Sequence, residues 1–243
     1  MPASLSDGRF RGEIMFELNR LYNVDCMEGM KEIPDCYFQL AIIDPPYGIG
    51  ESGKKNKSRG RLAVSQDYAP YFGGDRDAPP PEYFAELRRV SQNQIIFGAN
   101  HFISRIPFDS ACWIVWDKEN GQTDFADCEL AWTSFKSAAR LFRFKWHGMW
   151  QGDMRNKEIR IHPNQKPVKL YEWILTRYAQ PGDRILDTHA GSASSLIACY
   201  NMGFDFLGFE IDKGYFEKAR RRLEDVQAQM RLEDYADMKG RFL

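Results

Sequence analysis

Arg184-Ile185-Leu186-Asp187-Thr188-His189-Ala190-Gly191-Ser192-Ala193-Ser194, read on through Gly203 to Phe206-Leu207-Gly208-Phe209-Glu210-Ile211, is the stretch that decides the fold. Arg184 to Leu186 is a short strand, and Thr188 to Ala193 form a loop of mostly small residues. Ser194 to Met202 has the pattern of a helix, and Gly203 follows at a C-cap position. Phe206 to Ile211 predicts the next strand. Tyr215 to Met230 predicts an amphipathic helix with Tyr215, Ala219, Leu223, Val226 and Met230 inward. Strand, helix, strand, helix implies parallel pairing through right-handed crossovers. The expected fold is α/β, a doubly wound and mostly parallel sheet.

Upstream the same reasoning extends the sheet. Phe38 to Ile43 is an apolar run bounded by Pro34-Asp35 and Asp44-Pro45, which predicts a buried strand. Glu82 to Val90 follows three prolines and has helical periodicity. Gln94 to Phe97, Trp113 to Trp116 and Glu129 to Phe135 predict further strands. Leu141 to Trp146 alternates with basic residues outward, as an exposed strand or hairpin would. Val168 to Tyr178 predicts a helix with Leu170, Trp173, Ile174 and Tyr178 on one face, ended by Gln180-Pro181-Gly182-Asp183.

A length of 243 residues suits one large domain, or one domain with a small insertion. With 43% hydrophobic residues the chain can bury a sizeable core. No apolar stretch is long enough to span a membrane, and Met1 to Gly12 do not resemble a signal peptide. The five cysteines (Cys26, Cys36, Cys112, Cys128 and Cys199) form no CxxC pair, and the four histidines show no metal-ligand spacing. Reduced thiols, a cytoplasmic location and no metal are the expectation. A net charge of −1 leaves nucleic acid open, because phosphate binding needs local basic surface and not a basic total. Lys54, Lys55, Lys57, Arg59 and Arg61 supply one such patch, which composition alone does not separate from a solvated loop.

Ligands of such sheets bind beyond the carboxyl ends of the strands, where Asp44, Asp187 and Glu210 stand. The loop after Asp187 has one glycine and no basic residue, so it serves a phosphate-rich ligand poorly. A nucleoside with a cationic, phosphate-free tail fits better, and Glu210, 23 residues beyond Asp187, is placed to accept ribose hydroxyls. Asp44-Pro45-Pro46-Tyr47 is more specific. Its two rings stiffen the turn and remove backbone donors, leaving only acceptors. An acceptor-only turn suits an exocyclic amine, whose two hydrogens it would hold. Tyr47 offers a flat face for an extruded base, at about 1–3 kcal/mol of stacking.

Ile43-Asp44-Pro45-Pro46-Tyr47-Gly48 resembles the catalytic motif of the amino-methylating DNA methyltransferases, in their circularly permuted (beta) group. His162-Pro163-Asn164-Gln165-Lys166-Pro167 is similar to that family's H-P-x-Q-K-P element. Asp187 to Ser194 resembles its D-P-F-x-G-S-G-T loop, and Glu210 its ribose acid. Tyr22-Asn23-Val24-Asp25-Cys26 resembles its strand-end motif beside the cofactor's adenine.

The resemblance implies S-adenosylmethionine as cofactor, adenine N6 in DNA as acceptor, base flipping, and a place in restriction-modification. Asp44, Pro45, Pro46 and Tyr47 would be catalytic. Asp25, Cys26, Asp44, Lys166, Asp187, His189, Gly191, Ser192, Ala193, Ser194, Glu210 and Ile211 would bind the cofactor. Lys166 would meet a methionine carboxylate or make a simple salt bridge. His189 would line the pocket or pack as a core histidine.

The expected organisation is a catalytic half over 19–135, a short recognition insert over 136–161 and a cofactor half over 162–235. DNA contacts are expected from Lys54, Lys55, Lys57, Arg59, Arg140, Arg143 and Lys145. The insert's alternative is a core hairpin with snorkelling charges. Thr188, His189 and Ala193 depart from the family pattern, and Ala193 would cost cofactor fit if its position needs φ > 0. A homodimer stays open. So do cytosine-N4 or RNA methylation, and an inactive DNA-binding relative. The poor glycine loop disfavours a dinucleotide-dependent oxidoreductase.

Overall fold

The computed structural model describes residues 15–50, 75–121, 126–147 and 150–229. Lys54, Lys55, Lys57, Arg59 and Arg61, most of the Gly48 to Tyr71 loop, Met1 to Gly12 and Met230 lie outside them.

The strands are β1 (Arg20–Tyr22), β2 (Phe38–Ile43), β3 (Ser91–Phe97), β4 (Trp113–Asp117) and β5 (Cys128–Thr133), then β6 (Arg140–Arg143), β7 (Trp146–His147), β8 (Trp150–Gln151), β9 (Arg184–Asp187) and β10 (Asp205–Phe209). The helices are α1 (Cys26–Lys31), α2 (Pro81–Val90), α3 (Val168–Tyr178), α4 (Ser194–Met202) and α5 (Lys213–Ala228). Eight strands form one sheet in the order β1-β10-β9-β2-β3-β5-β4-β6, and β7 and β8 pair as a separate hairpin. Only β5 of the large sheet runs against its neighbours, β3 and β4. The chain steps from β2 to β3 in one direction and from β9 to β10 in the other. Winding therefore reverses between β2 and β9, and a reversal of this kind leaves a crevice beyond the carboxyl ends of the strands.

Strand alternation explains why helices cover both faces. Leu40 and Ile42 enter one core together with Ile95, Phe97 and Ile185. Ala41 and Ile43 enter the other with Ile96, Leu186 and Leu207. A strand buried on both sides reads as a continuous apolar run, as β2 does. Helices α3 and α4 close the first core, and α2 closes the second. α2 starts on Pro81, whose missing N–H costs nothing at a first helical position. α4 ends on Gly203 at φ 75°, with its N–H bonded to the Cys199 carbonyl.

Several boundaries differ from the expectation. The inward face of α3 runs through Leu170, Tyr171, Ile174 and Leu175, and Trp173 and Tyr178 are only half-buried. β10 stops at Phe209, so Glu210 and Ile211 stand just past its end. Phe135 lies beyond β5. Strand β1 and helix α1 have no strong pattern of their own. β1 is three residues long and pairs with β10, and α1 is six residues capped by Asp25.

Arg89 at the end of α2 secures α1. Its guanidinium donates to the Met30 carbonyl at 2.7 Å and the Ile33 carbonyl at 2.7 Å, and pairs with Asp35 at 2.9 Å. Hydrogen bonds from a charged group are worth about 1.5–3 kcal/mol. Arg89→Met should therefore lower stability by about 2 kcal/mol in urea unfolding.

Candidate active site

All but one strand of the large sheet point the same way, so their final residues gather at one edge. Asp44 follows β2, Asp187 ends β9, Glu210 follows β10 and Asp25 stands three residues past β1. The crevice is acidic at its base.

On the β2 side, the two prolines leave few donors, and the turn is fixed from outside. One Asp75 carboxylate oxygen accepts from Tyr47 N at 2.6 Å and Gly48 N at 2.9 Å, and the other from Ile49 N at 3.2 Å. The Tyr47 hydroxyl donates to Asp44 Oδ1 at 2.7 Å. The Lys166 ammonium pairs with Asp44 Oδ2, donates to the Tyr47 hydroxyl at 3.2 Å and lies 3.0 Å from Glu129 Oε2. Lys118 pairs with the other Glu129 oxygen at 2.5 Å. Two acids and two cations thus alternate as Lys118, Glu129, Lys166 and Asp44.

Burial raises the pKa of Asp44 against the opposing pull of Lys166. Although burial works the other way, the two ammoniums hold Glu129 down to about 2. Likewise Asp44 and Glu129 raise Lys166 despite its burial. Asp75, Lys118 and Glu129 were not singled out in the sequence. Each lies far from Asp44 along the chain and has no motif of its own.

The Tyr47 ring departs from the expected open platform. His101, itself exposed, stacks on it at 5.3 Å with the rings 16° apart. Gly98 lies so close that a Cβ would meet Tyr47 Cε1 at 2.1 Å, and its φ is 66°.

On the β9 side the expected residues divide. Asp187 is buried, accepting from His189 N at 2.9 Å and from the Ser195 hydroxyl, and burial pushes it up to about 7. Ser192, Ala193 and Ser194 are buried too. Ser192 and Ser194 share a hydrogen bond of 3.0 Å, and Arg222 donates to the Ser192 carbonyl at 2.8 Å. Arg222 in turn pairs with Glu158 at 2.6 Å. These buried side chains shape the loop from within.

Ala193 adopts φ 61°, the left-handed region. That conformation costs about 1–2 kcal/mol. Its fully buried methyl returns about 0.8 kcal/mol, which explains how alanine is tolerated.

Open to the crevice are Asp25, Cys26, His189, Gly191, Glu210 and Ile211, the last 44% exposed. Asp25 caps α1 through Met27 N at 2.8 Å. Burial pushes the Cys26 thiol up to about 12, so it is a neutral wall residue. Glu210 accepts from Gly191 N and Asp212 N, each at 2.8 Å, and burial raises its pKa. Among the described residues no ion pair engages it. His189 resolves as a packed residue at the crevice wall. Its Nδ1 lies 3.0 Å from the Thr188 hydroxyl and 3.3 Å from that of Tyr83, which packs edge-on to its ring at 5.3 Å. Of the two expectations for Lys166, a methionine carboxylate or a salt bridge, the structure shows a salt bridge, to Asp44 and Glu129.

The described basic residues are not brought together. Arg143 pairs with Asp117 at 3.2 Å, at the crevice edge, and Lys145 follows it in the chain, exposed. Arg140 pairs in register with Ile114 at the other end of the strand. Three residues of strand put it about 10 Å from Arg143. It lines a separate cleft of about 550 Å³ with Trp173, Thr176 and Arg177. Arg140 therefore stands at the end of β6 away from the crevice. Among the described residues no group of histidine, cysteine and acidic side chains could hold a metal, and no helix is long and apolar enough to cross a membrane.

Comparison with known proteins fits this geometry. Residues 115–221 match the family model N6_N4_Mtase, described as DNA methylase. The type II methyltransferase M.HinfI of Haemophilus influenzae is 22% identical over 250 residues, covering 86% of this chain and 69% of its own length. The type II methyltransferase M2.MboI of Moraxella bovis is 22% identical over 241 residues, covering 85% of this chain and 88% of its own. Among solved structures, an M1.HpyAVI–SAM complex is 25% identical with a TM-score of 0.52, over 84% of this chain and 98% of that one.

Burial holds His189 down to about 4, below the usual value near 6.5. The unfolded chain therefore takes up the proton first on acidification. The stability contributed by neutral His189 is complete above about pH 6.5 and is lost as pH falls toward 4. A His189→Gln variant should lose less stability than the parent across that interval, measured by chemical unfolding at stepped pH. Separately, Gly98→Ala should destabilise the protein by more than about 1 kcal/mol, because a side chain there is strained and collides with Tyr47.

Proposed function

We propose that this chain is an N6/N4 DNA methylase and that it transfers a methyl group from S-adenosylmethionine to N6 of an adenine flipped out of DNA. The observation that carries the reading is the acceptor-only turn at the end of β2, set across the switch point from an acidic crevice.

The residues present fit the cofactor. A crevice walled by Asp25 and Glu210 suits a cationic ligand that carries no phosphate. Glu210 has no cation of its own among the described residues, and each of its oxygens has a lone pair beyond the one its amide bond uses. It is the acceptor for ribose hydroxyls. Gly191, at φ 52°, is loosely surrounded, since a Cβ built on it would make only ordinary contacts, the nearest at 3.8 Å. When bound, S-adenosylmethionine supplies an electrophilic methyl whose bond to sulfur breaks as the amine nitrogen bonds to carbon, the electron pair remaining on sulfur.

Asp44 accepts the amine's hydrogen bonds, orients its lone pair, and takes up the positive charge that grows on nitrogen. The proton the amine releases passes through Asp44 to solvent. The rate comes from proximity and fixed acceptors. A base stacking on the covered face of Tyr47 takes the place of His101. Lys145 and the exposed Trp150 of the β7–β8 hairpin are the described candidates for backbone contact and stacking in the recognition insert.

Incubation of unmethylated DNA with protein and S-adenosylmethionine, followed by nucleoside mass spectrometry, should yield N6-methyladenine. N4-methylcytosine would instead overturn the choice of base. Asp44→Ala should lower turnover by about 10²-fold or more while cofactor binding is retained.

A further inference from the structure

Lys166 is a buried ammonium shared between two carboxylates from different parts of the chain. On one side is Asp44, at the end of β2. On the other is Glu129, in β5, whose Oε2 is buried and lies 3.0 Å from the ammonium without an aligned hydrogen bond. Lys118 anchors the far oxygen of Glu129. The Phe97 ring, 4.9 Å from the ammonium, supplies a face and no acceptor, so Lys166 has little to turn to but the two acids and the Tyr47 hydroxyl.

An isolated buried pair of Asp44 and Lys166 would hold the carboxylate tightly, because desolvated opposite charges attract far more strongly than exposed ones. Such a carboxylate would be a poor acceptor for an amine. A second carboxylate on the same ammonium weakens that hold. The second cation, Lys118, keeps the whole chain of charges neutral and so makes the second carboxylate tolerable in the interior.

Resting on the methyl-transfer reading above, we infer that Glu129 is a positioning residue for the reaction. By sharing the Lys166 ammonium, it sets how much of the Asp44 carboxylate remains for the amine. Lys118 restrains Glu129 and so limits how far the ammonium is drawn away.

The two outer residues should then act in opposite directions on Asp44. The groups facing Asp44 are Lys166, the Tyr47 hydroxyl, Glu129, Tyr171 of α3 and Asp187 of β9. Glu129 raises the pKa of Asp44 through its charge. Glu129→Gln removes that charge and leaves Lys166 to Asp44 alone, so Asp44 should titrate at lower pH. Lys118→Met leaves two carboxylates sharing one cation, so Asp44 should titrate at higher pH. A change that merely loosened the fold would not produce opposite signs.

The experiment follows the Asp44 carboxyl by carbon NMR in protein labelled at aspartate, assigned with Asp44→Asn, alongside pH profiles of kcat. In Glu129→Gln the midpoint and the acid limb of kcat should move down, with kcat lower by about tenfold or more and KM for S-adenosylmethionine within about twofold. In Lys118→Met both should move up. Glu129→Asp should recover part of the lost kcat. Shifts in the same direction, or no shift in either folded variant, would overturn the inference. If Glu129→Gln does not fold, an unmoved midpoint in Lys118→Met overturns it. If the parent protein makes no methylated base, the methyl-transfer reading falls, and with it the catalytic role of Glu129. The NMR midpoints still report the charge chain separately.

Discussion

The pairing of β2 with β9 is the contact on which the site depends. Leu40 lies opposite Ile185 and Ala41 opposite Leu186, and Gln39 Oε1 accepts from Arg184 N at 2.8 Å at the start of the same pair. These residues are about 145 positions apart, so the contact is made against a large loop-closure cost. Burial on both faces outweighs it. Leu40 and Ile185 enter one core, and Ala41 and Leu186 the other. Because the two strands are parallel, this register sets Asp187 level with Ile42 and Asp44 two residues further out at the same edge of the sheet. A slip of one residue would reverse every side chain of β2 and point apolar groups into the wrong core.

The charges at this edge are arranged by sign and depth. Toward the Asp44 to Tyr47 turn, acids and cations alternate and neutralise one another inside the protein. Toward β10, Glu210 is held by backbone amides and Asp25 by the start of a helix, so the crevice keeps its negative character. Amides can hold a carboxylate in place without cancelling its charge, whereas an ammonium would cancel it. A ligand with a positive centre therefore meets an uncompensated wall on one side and an acceptor turn on the other.

Beneath the loop after β9, a second pair connects distant segments. Glu158 accepts from Val168 N at 2.8 Å and pairs with Arg222, which holds the Ser192 carbonyl. Gln165 holds Ile161 N at 2.9 Å, and its carbonyl accepts from the Trp146 indole at 2.8 Å. The element His162 to Pro167 is thereby a junction between the hairpin, the Asp44 to Tyr47 turn and the loop after β9. It brings Lys166 against Asp44.

What the sequence determined by itself was whatever depends on neighbours along the chain. The apolar run of β2, the span of α3, the small-residue loop with its flanking strand and helix, and the stop at Gly203 all follow from local periodicity and backbone freedom. So does the identity of the acceptor turn, since Pro45 and Pro46 remove donors whatever surrounds them. Only the tertiary structure decided which polar groups meet. Asp75, Glu129, Lys118 and Arg222 reach the site across strand order and register, and no spacing announces them. β1 and α1 are likewise held by partners, since three strand residues and six helical ones have too little local preference to declare themselves. Burial, too, was a tertiary matter. Ser192 and Ser194 lie in the expected loop yet are buried, and His189 is neutral because Tyr83, brought by α2, closes around it beside its chain neighbour Thr188. Local sequence sets what a residue can do, and packing sets whom it faces and how much water remains.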